Sequence, residues 1–84
     1  MFYCGIDLSA RDSHLCVLDE SLAIHLQQKV ANEMPRISYL LEPFKPHLKI
    51  VVESTFNWYW LVDGLMEASY RVHLANPAAI QALN

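Results

Sequence analysis

Two carboxylates stand where this sequence can do chemistry. Asp7 lies in the apolar stretch Tyr3-Cys4-Gly5-Ile6-Asp7-Leu8-Ser9, and Glu53 closes the β-branched run Ile50-Val51-Val52. An ionised Asp inside an apolar strand is costly unless a paired cation or a metal compensates it. Two carboxylates brought together repel each other unless a cation sits between them. Carboxylate oxygens are hard ligands, so Mg²⁺ or Mn²⁺ suits them better than zinc, and Mg²⁺ takes substrate phosphate oxygens as further ligands. A pair of such ions ~4 Å apart stabilises both the attacking and the leaving oxygen of a phosphodiester. The plainer account is that Asp7 caps a turn and Glu53 forms an ordinary salt bridge at a strand end. Pattern alone leaves both accounts open.

The elements that would position this pair follow from periodicity. Residues 2–8 read as a first strand, with Cys4, Ile6 and Leu8 on one face and Tyr3, Gly5 and Asp7 on the other. The polar stretch Ser9-Ala10-Arg11-Asp12-Ser13 has hairpin length, so residues 14–18 form a second strand. In a third strand over 23–30, Ile24, Leu26 and Val30 alternate against His25, Gln27 and Lys29, which marks a half-wet edge strand. The period then changes: Ile37, Leu40, Leu41 and Phe44 follow helical spacing after Pro35, and Pro43 and Pro46 keep that helix short. Residues 48–52 read as a parallel strand covered on both faces, with Glu53 at its C-terminal end. A second helix carries Trp58, Leu61, Val62 and Leu65 in phase, with Thr55 or Asn57 as its cap. A fifth strand spans 71–75, and Asn76-Pro77 opens a further helix with Ile80 and Leu83 on one face.

The order β-β-β-α-β-α-β-α predicts an α/β fold, a mixed sheet with helices on both faces. The short helix is an adequate crossover, so the first and fourth strands should lie parallel and adjacent. That brings Asp7 and Glu53 together at the C-terminal edge, where open α/β sheets bind ligands.

Composition narrows the class. The 84 residues make one domain at most, and 54% hydrophobic content with 2 Gly suits a globular chain rather than a disordered one. So short a chain is marginal alone, and residues 77–84 read as a helix cut off in its first turns. Either the chain dimerises or it is a piece of a longer protein, and the cut-off helix favours a C-terminally truncated piece. The net charge of -3 advertises no basic field for gripping nucleic acid, although an acidic catalytic module can have its basic surfaces elsewhere. Cys4 and Cys16 lack metal spacing and read as reduced thiols of a cytoplasmic protein; no signal-peptide pattern opens the chain. The most apolar part, 58–66, is broken by Asp63 and Gly64 and is too short to span a membrane.

Other polar residues have plainer roles. Arg11 in the hairpin can touch a phosphate, but a solvated loop arginine is the default. Asp12, Asp19 and Asp63 suit turns and solvated faces. His14, His25, His47 and His73 show no ligand spacing, and Ser9, Ser54 and Thr55 lack a neighbouring base for nucleophilic catalysis. Trp58 is in phase with the core, whereas Tyr59 and Trp60 fall out of phase and suit an interface.

Three segments in order, Tyr3-Cys4-Gly5-Ile6-Asp7-Leu8-Ser9, Val51-Val52-Glu53-Ser54-Thr55 and Val72-His73-Leu74-Ala75-Asn76-Pro77, resemble the N-terminal domain of IS110-family (DEDD) transposases. The resemblance covers essentially residues 1–84 and implies a RuvC-like, RNase H-like fold with an acidic tetrad holding Mg²⁺, Mn²⁺ being a substitute. Asp7 matches the first acidic residue and Glu53 the second; the other two family aspartates fall beyond Asn84. The resemblance further implies Mg²⁺-dependent DNA cleavage and strand transfer, a structured guide RNA, a C-terminal domain with a strand-exchange serine, and homo-oligomers at full length. Many members have Gly after the Glu-(Ser/Ala)-Thr, where this chain has Phe56-Asn57.

Two other classes compete. An actin-like or sugar-kinase ATPase half would cradle nucleotide phosphate with Gly5-Ile6-Asp7 and the hairpin, yet 9–13 contains no Gly for close backbone approach. A non-catalytic dimerisation module would pair through Tyr59 and Trp60.

Overall fold

The computed structural model describes residues 1–53 and 57–75. Five strands, β1 (Phe2–Leu8), β2 (Asp12–Leu18), β3 (Ile24–Ala31), β4 (Leu48–Glu53) and β5 (Arg71–Ala75), form one sheet in the order β3-β2-β1-β4-β5. The meander β1-β2-β3 is antiparallel, and β4 and β5 join it parallel. The crossovers run through α1 (Met34–Leu41), followed by a 3-10 turn over Glu42–Phe44, and through α2 (Tyr59–Glu67). β3 is the edge strand its polar face predicts. A register shift at Val17/Leu18 leaves Ile24 60% exposed, so that residue does not join the core as the alternation suggests.

Strand alternation builds the core. Cys4, Ile6 and Leu8 of β1, Leu15 and Val17 of β2, and Leu48, Ile50 and Val52 of β4 are buried on one face. Ile37 and Leu41 from α1 and Leu61, Val62 and Leu65 from α2 close over them in the same cluster. Each such side chain contributes about 1.5–3 kcal/mol on burial.

Both described helices therefore share one face. The helices expected on the opposite face are not met among the described residues, and the helix expected after Asn76-Pro77 lies outside them. Among the described residues β4 is covered on one face: Lys49, Val51 and Glu53 are exposed, Val51 at 43%.

α2 differs from expectation at two further points. Its N-cap is Trp58, with no side-chain cap bond, so Asn57 does not cap it, and Thr55 lies outside the described residues. Trp60 packs against the core rather than facing out, whereas Tyr59 is 61% exposed and stacks on Trp58.

Candidate carboxylate site on the open sheet face

Asp7 and Glu53 are direct register partners across the parallel β1–β4 pair. Both are exposed, on the face opposite the core. Neighbouring strands lie about 4.8 Å apart, so the carboxylates rise side by side from adjacent backbones. The burial penalty expected for an Asp in an apolar strand does not arise, because Ile6 and Leu8 point into the core while Asp7 points away. What needs compensation is the mutual repulsion of the two charges, not their desolvation.

Gly5 makes room in front of them. A Cβ at that position would meet nothing within 4 Å, and the recess above it, about 230 Å³, is bounded by Gly5, Asp7, His14, Cys16, Val51 and Glu53. A second recess of about 160 Å³ adjoins it, sharing Asp7 and His14 and reaching Ser9, Asp12 and Lys29. The larger apolar groove beside Pro35 and Tyr39 lies at the β3–α1 edge, away from the acids.

The hairpin beside Asp7 is held by side chains that periodicity does not reveal. Ser9 N–H donates to the Asp12 carbonyl at 2.9 Å, closing the turn. Asn32, just past β3, donates from Nδ2 to the Ser9 carbonyl at 2.7 Å and accepts the hydroxyl of the buried Ser13 at 2.6 Å. Its N–H also reaches the Arg11 carbonyl at 3.0 Å. With Ser9 engaged in this internal network, the turn is built as a closed hairpin rather than as a phosphate cradle.

His14 is the residue the spacing misses. It has no ligand-like neighbour in the sequence, yet β1–β2 pairing sets it directly across from Asp7. The signal was the hairpin itself, since a tight closing turn fixes which residues face each other. The remaining candidates take plainer roles. Asp19 Oδ1 accepts from the Ser21 N–H and hydroxyl and from the Ala23 N–H, and Oδ2 lies 2.7 Å from His25 Nε2. The hydrogen bond to His25, then that to Ser21, holds its carboxyl well below the usual range. Asp12 pairs with Lys29 at 3.5 Å, and Arg11 and Asp63 are exposed. Ser54, Thr55 and Phe56 lie outside the described residues. Cys4 is buried and Cys16 half-buried on the opposite face of the sheet, both free; burial pushes the Cys4 thiol up to about 12.

Among the described residues no group of three His, Cys, Asp or Glu side chains could hold a metal. Two carboxylates remain a fit for Mg²⁺, which is commonly bound by one or two protein carboxylates with water and substrate phosphate completing its shell.

A family model described as a transposase, the DEDD type of IS110 elements, matches residues 4–84. The chain belongs to that family, and its fold is the RuvC-like one. T. thermophilus RuvC in complex with Holliday junction substrate aligns with TM-score 0.68 at 19% identity, over 99% of this chain and 69% of that one. A Thermus thermophilus RuvC structure aligns with TM-score 0.66, also at 19% identity, over 92% of this chain and 62% of that one. An exopolyphosphatase from Cytophaga hutchinsonii ATCC 33406 shares the fold with TM-score 0.58 at 12% identity, over 93% of this chain and 35% of that one. The fold alone therefore does not choose an activity; the family match is to transposases. No curated protein matches the chain. No described helix is long and apolar enough to cross a membrane.

Proposed function

We propose that residues 1–84 are the N-terminal part of a RuvC-like transposase catalytic domain that cleaves and transfers DNA phosphodiesters with Mg²⁺ held by Asp7 and Glu53. The observation that carries this reading is the Asp7–Glu53 register on an open sheet face in a chain of a transposase family. β1 and β4 fix the two carboxylates relative to each other, so little side-chain reorganisation is needed to present two hard oxygens to one cation. A bound Mg²⁺ supplies Lewis-acid stabilisation of the charge that develops on a transferring phosphoryl group. Asp7 and Glu53 would hold the ion, and the Gly5 recess leaves room for a phosphate in front of them.

The RuvC neighbour bound to a Holliday junction supports DNA as the substrate class. The family supports a guide RNA and homo-oligomers at full length. Two carboxylates are half of the four-acid set, so the 84-residue chain binds metal weakly and is inactive by itself.

Manganese titration followed by NMR tests the site. Paramagnetic broadening should begin at Gly5–Leu8 and Val52–Glu53 and vanish in Asp7→Asn. Broadening centred elsewhere, or unchanged in that variant, would contradict the assignment.

A further inference from the structure

The row that holds the acid pair continues across the sheet. From Glu53 through Asp7 the same line of paired residues runs to His14 on β2 and Lys29 on β3. His14 and Lys29 are exposed, and both line the recess that adjoins the acid pair. One end of the row is thus anionic, while the other offers an ammonium and an imidazole. Three strand spacings of about 4.8 Å make the row about 14 Å long. That length accommodates roughly two to four nucleotides at about 3.4 Å of rise each.

We propose that His14 and Lys29 hold the phosphates of the same DNA strand next to the one presented to Asp7 and Glu53. The proposal rests on the carboxylate pair being the reaction centre and adds the direction in which the strand leaves it, over β2 toward the β3 edge. His14 serves in either protonation state, since the ring always keeps an N–H donor for a phosphate oxygen. Lys29 is 64% exposed and pairs with Asp12 at 3.5 Å, a solvent-screened pair that a phosphate can replace. Asp12 then acts as a competitor: it holds Lys29 in the absence of DNA and opposes the strand when DNA arrives. A row with hydrogen-bond donors at one end and carboxylates at the other also sets polarity. Without metal the strand is drawn to His14 and Lys29 and repelled from Asp7 and Glu53.

Fluorescence anisotropy of a labelled 12-nucleotide single-stranded DNA, with the full 84-residue chain in EDTA, reads this contact apart from the metal. Lys29→Gln should weaken binding several-fold and lower the slope of log K against log salt by about 0.7, the loss of one phosphate contact on a single strand. His14→Ala should weaken it further, Lys29→Arg should restore it, and Asp12→Asn should tighten it. In separate samples without EDTA, manganese broadening at Asp7 and Glu53 should stay as in the parent in the Lys29 variants. Equal affinity and salt slope for the parent and Lys29→Gln would overturn the proposal. So would failure of Lys29→Arg to restore binding, or binding of a 12-nucleotide RNA with none of the DNA. If manganese broadening is absent in the parent while the Lys29 and Asp12 effects hold, the metal reading fails and the phosphate contact stands.

Discussion

At the scale of single residues, Asp7 faces away from the core, beside its register partner Glu53. Cys4 and Cys16 show the same division chemically. With the Cys4 thiol raised to about 12 by burial and Cys16 half-buried on the open face, iodoacetamide at pH 8 should label Cys16 well before Cys4. Equal rates in the folded chain would contradict this placement. Asp19 makes a separate prediction. Its carboxyl is held low in the folded state, first by the hydrogen bond to His25, so its contribution is complete above the unfolded carboxylate range near pH 4 and fades as pH falls below it. Asp19→Asn should flatten the acid limb of a stability-versus-pH curve; an unchanged limb would remove Asp19 as a cause. The pairing of Asp7 with Glu53 was legible because a short crossover sets β1 and β4 parallel and adjacent. His14 was not, because its neighbour is set by strand pairing rather than by sequence distance.

At the scale of elements, the strands were read nearly as they stand because alternation and turn residues are local signals. The caps and the edges of the helices were not. Trp60 falls outside the apolar phase of α2 yet packs on the core, since a large ring reaches past the stripe its Cα defines. Asn32 shows a second gap: a polar residue after a strand reads as loop, yet it ties Ser9, Arg11 and Ser13 into one hairpin. Asn32→Ala leaves the buried Ser13 hydroxyl unpaired and should cost about 1–3 kcal/mol in a urea melt; a loss under a few tenths would show that the network is dispensable. The end of α2 offers a gain. Ser69 follows the helix with φ 67° and its N–H bonded to the Met66 carbonyl, the position that favours glycine. Ser69→Gly should stabilise the fold by about 0.5–1 kcal/mol, and a destabilised variant would mean that the serine side chain contributes there.

At the scale of the molecule, an antiparallel meander joined to parallel crossovers brings residues 46 positions apart into one register. The topology was legible because a crossover between parallel strands has few solutions. The described helices, α1 and α2, cover one face of the sheet. One face holds the core; the other presents Asp7, Glu53, His14 and Lys29 in a line. The central claim is that Asp7 and Glu53 act as one cation site. A double-mutant cycle on manganese affinity tests it most directly, using the parent, Asp7→Asn, Glu53→Gln and the double variant. A shared site predicts that each single change removes most of the affinity and that the double variant is barely weaker than either. Two losses that simply add, or a Glu53→Gln variant binding like the parent, would contradict it.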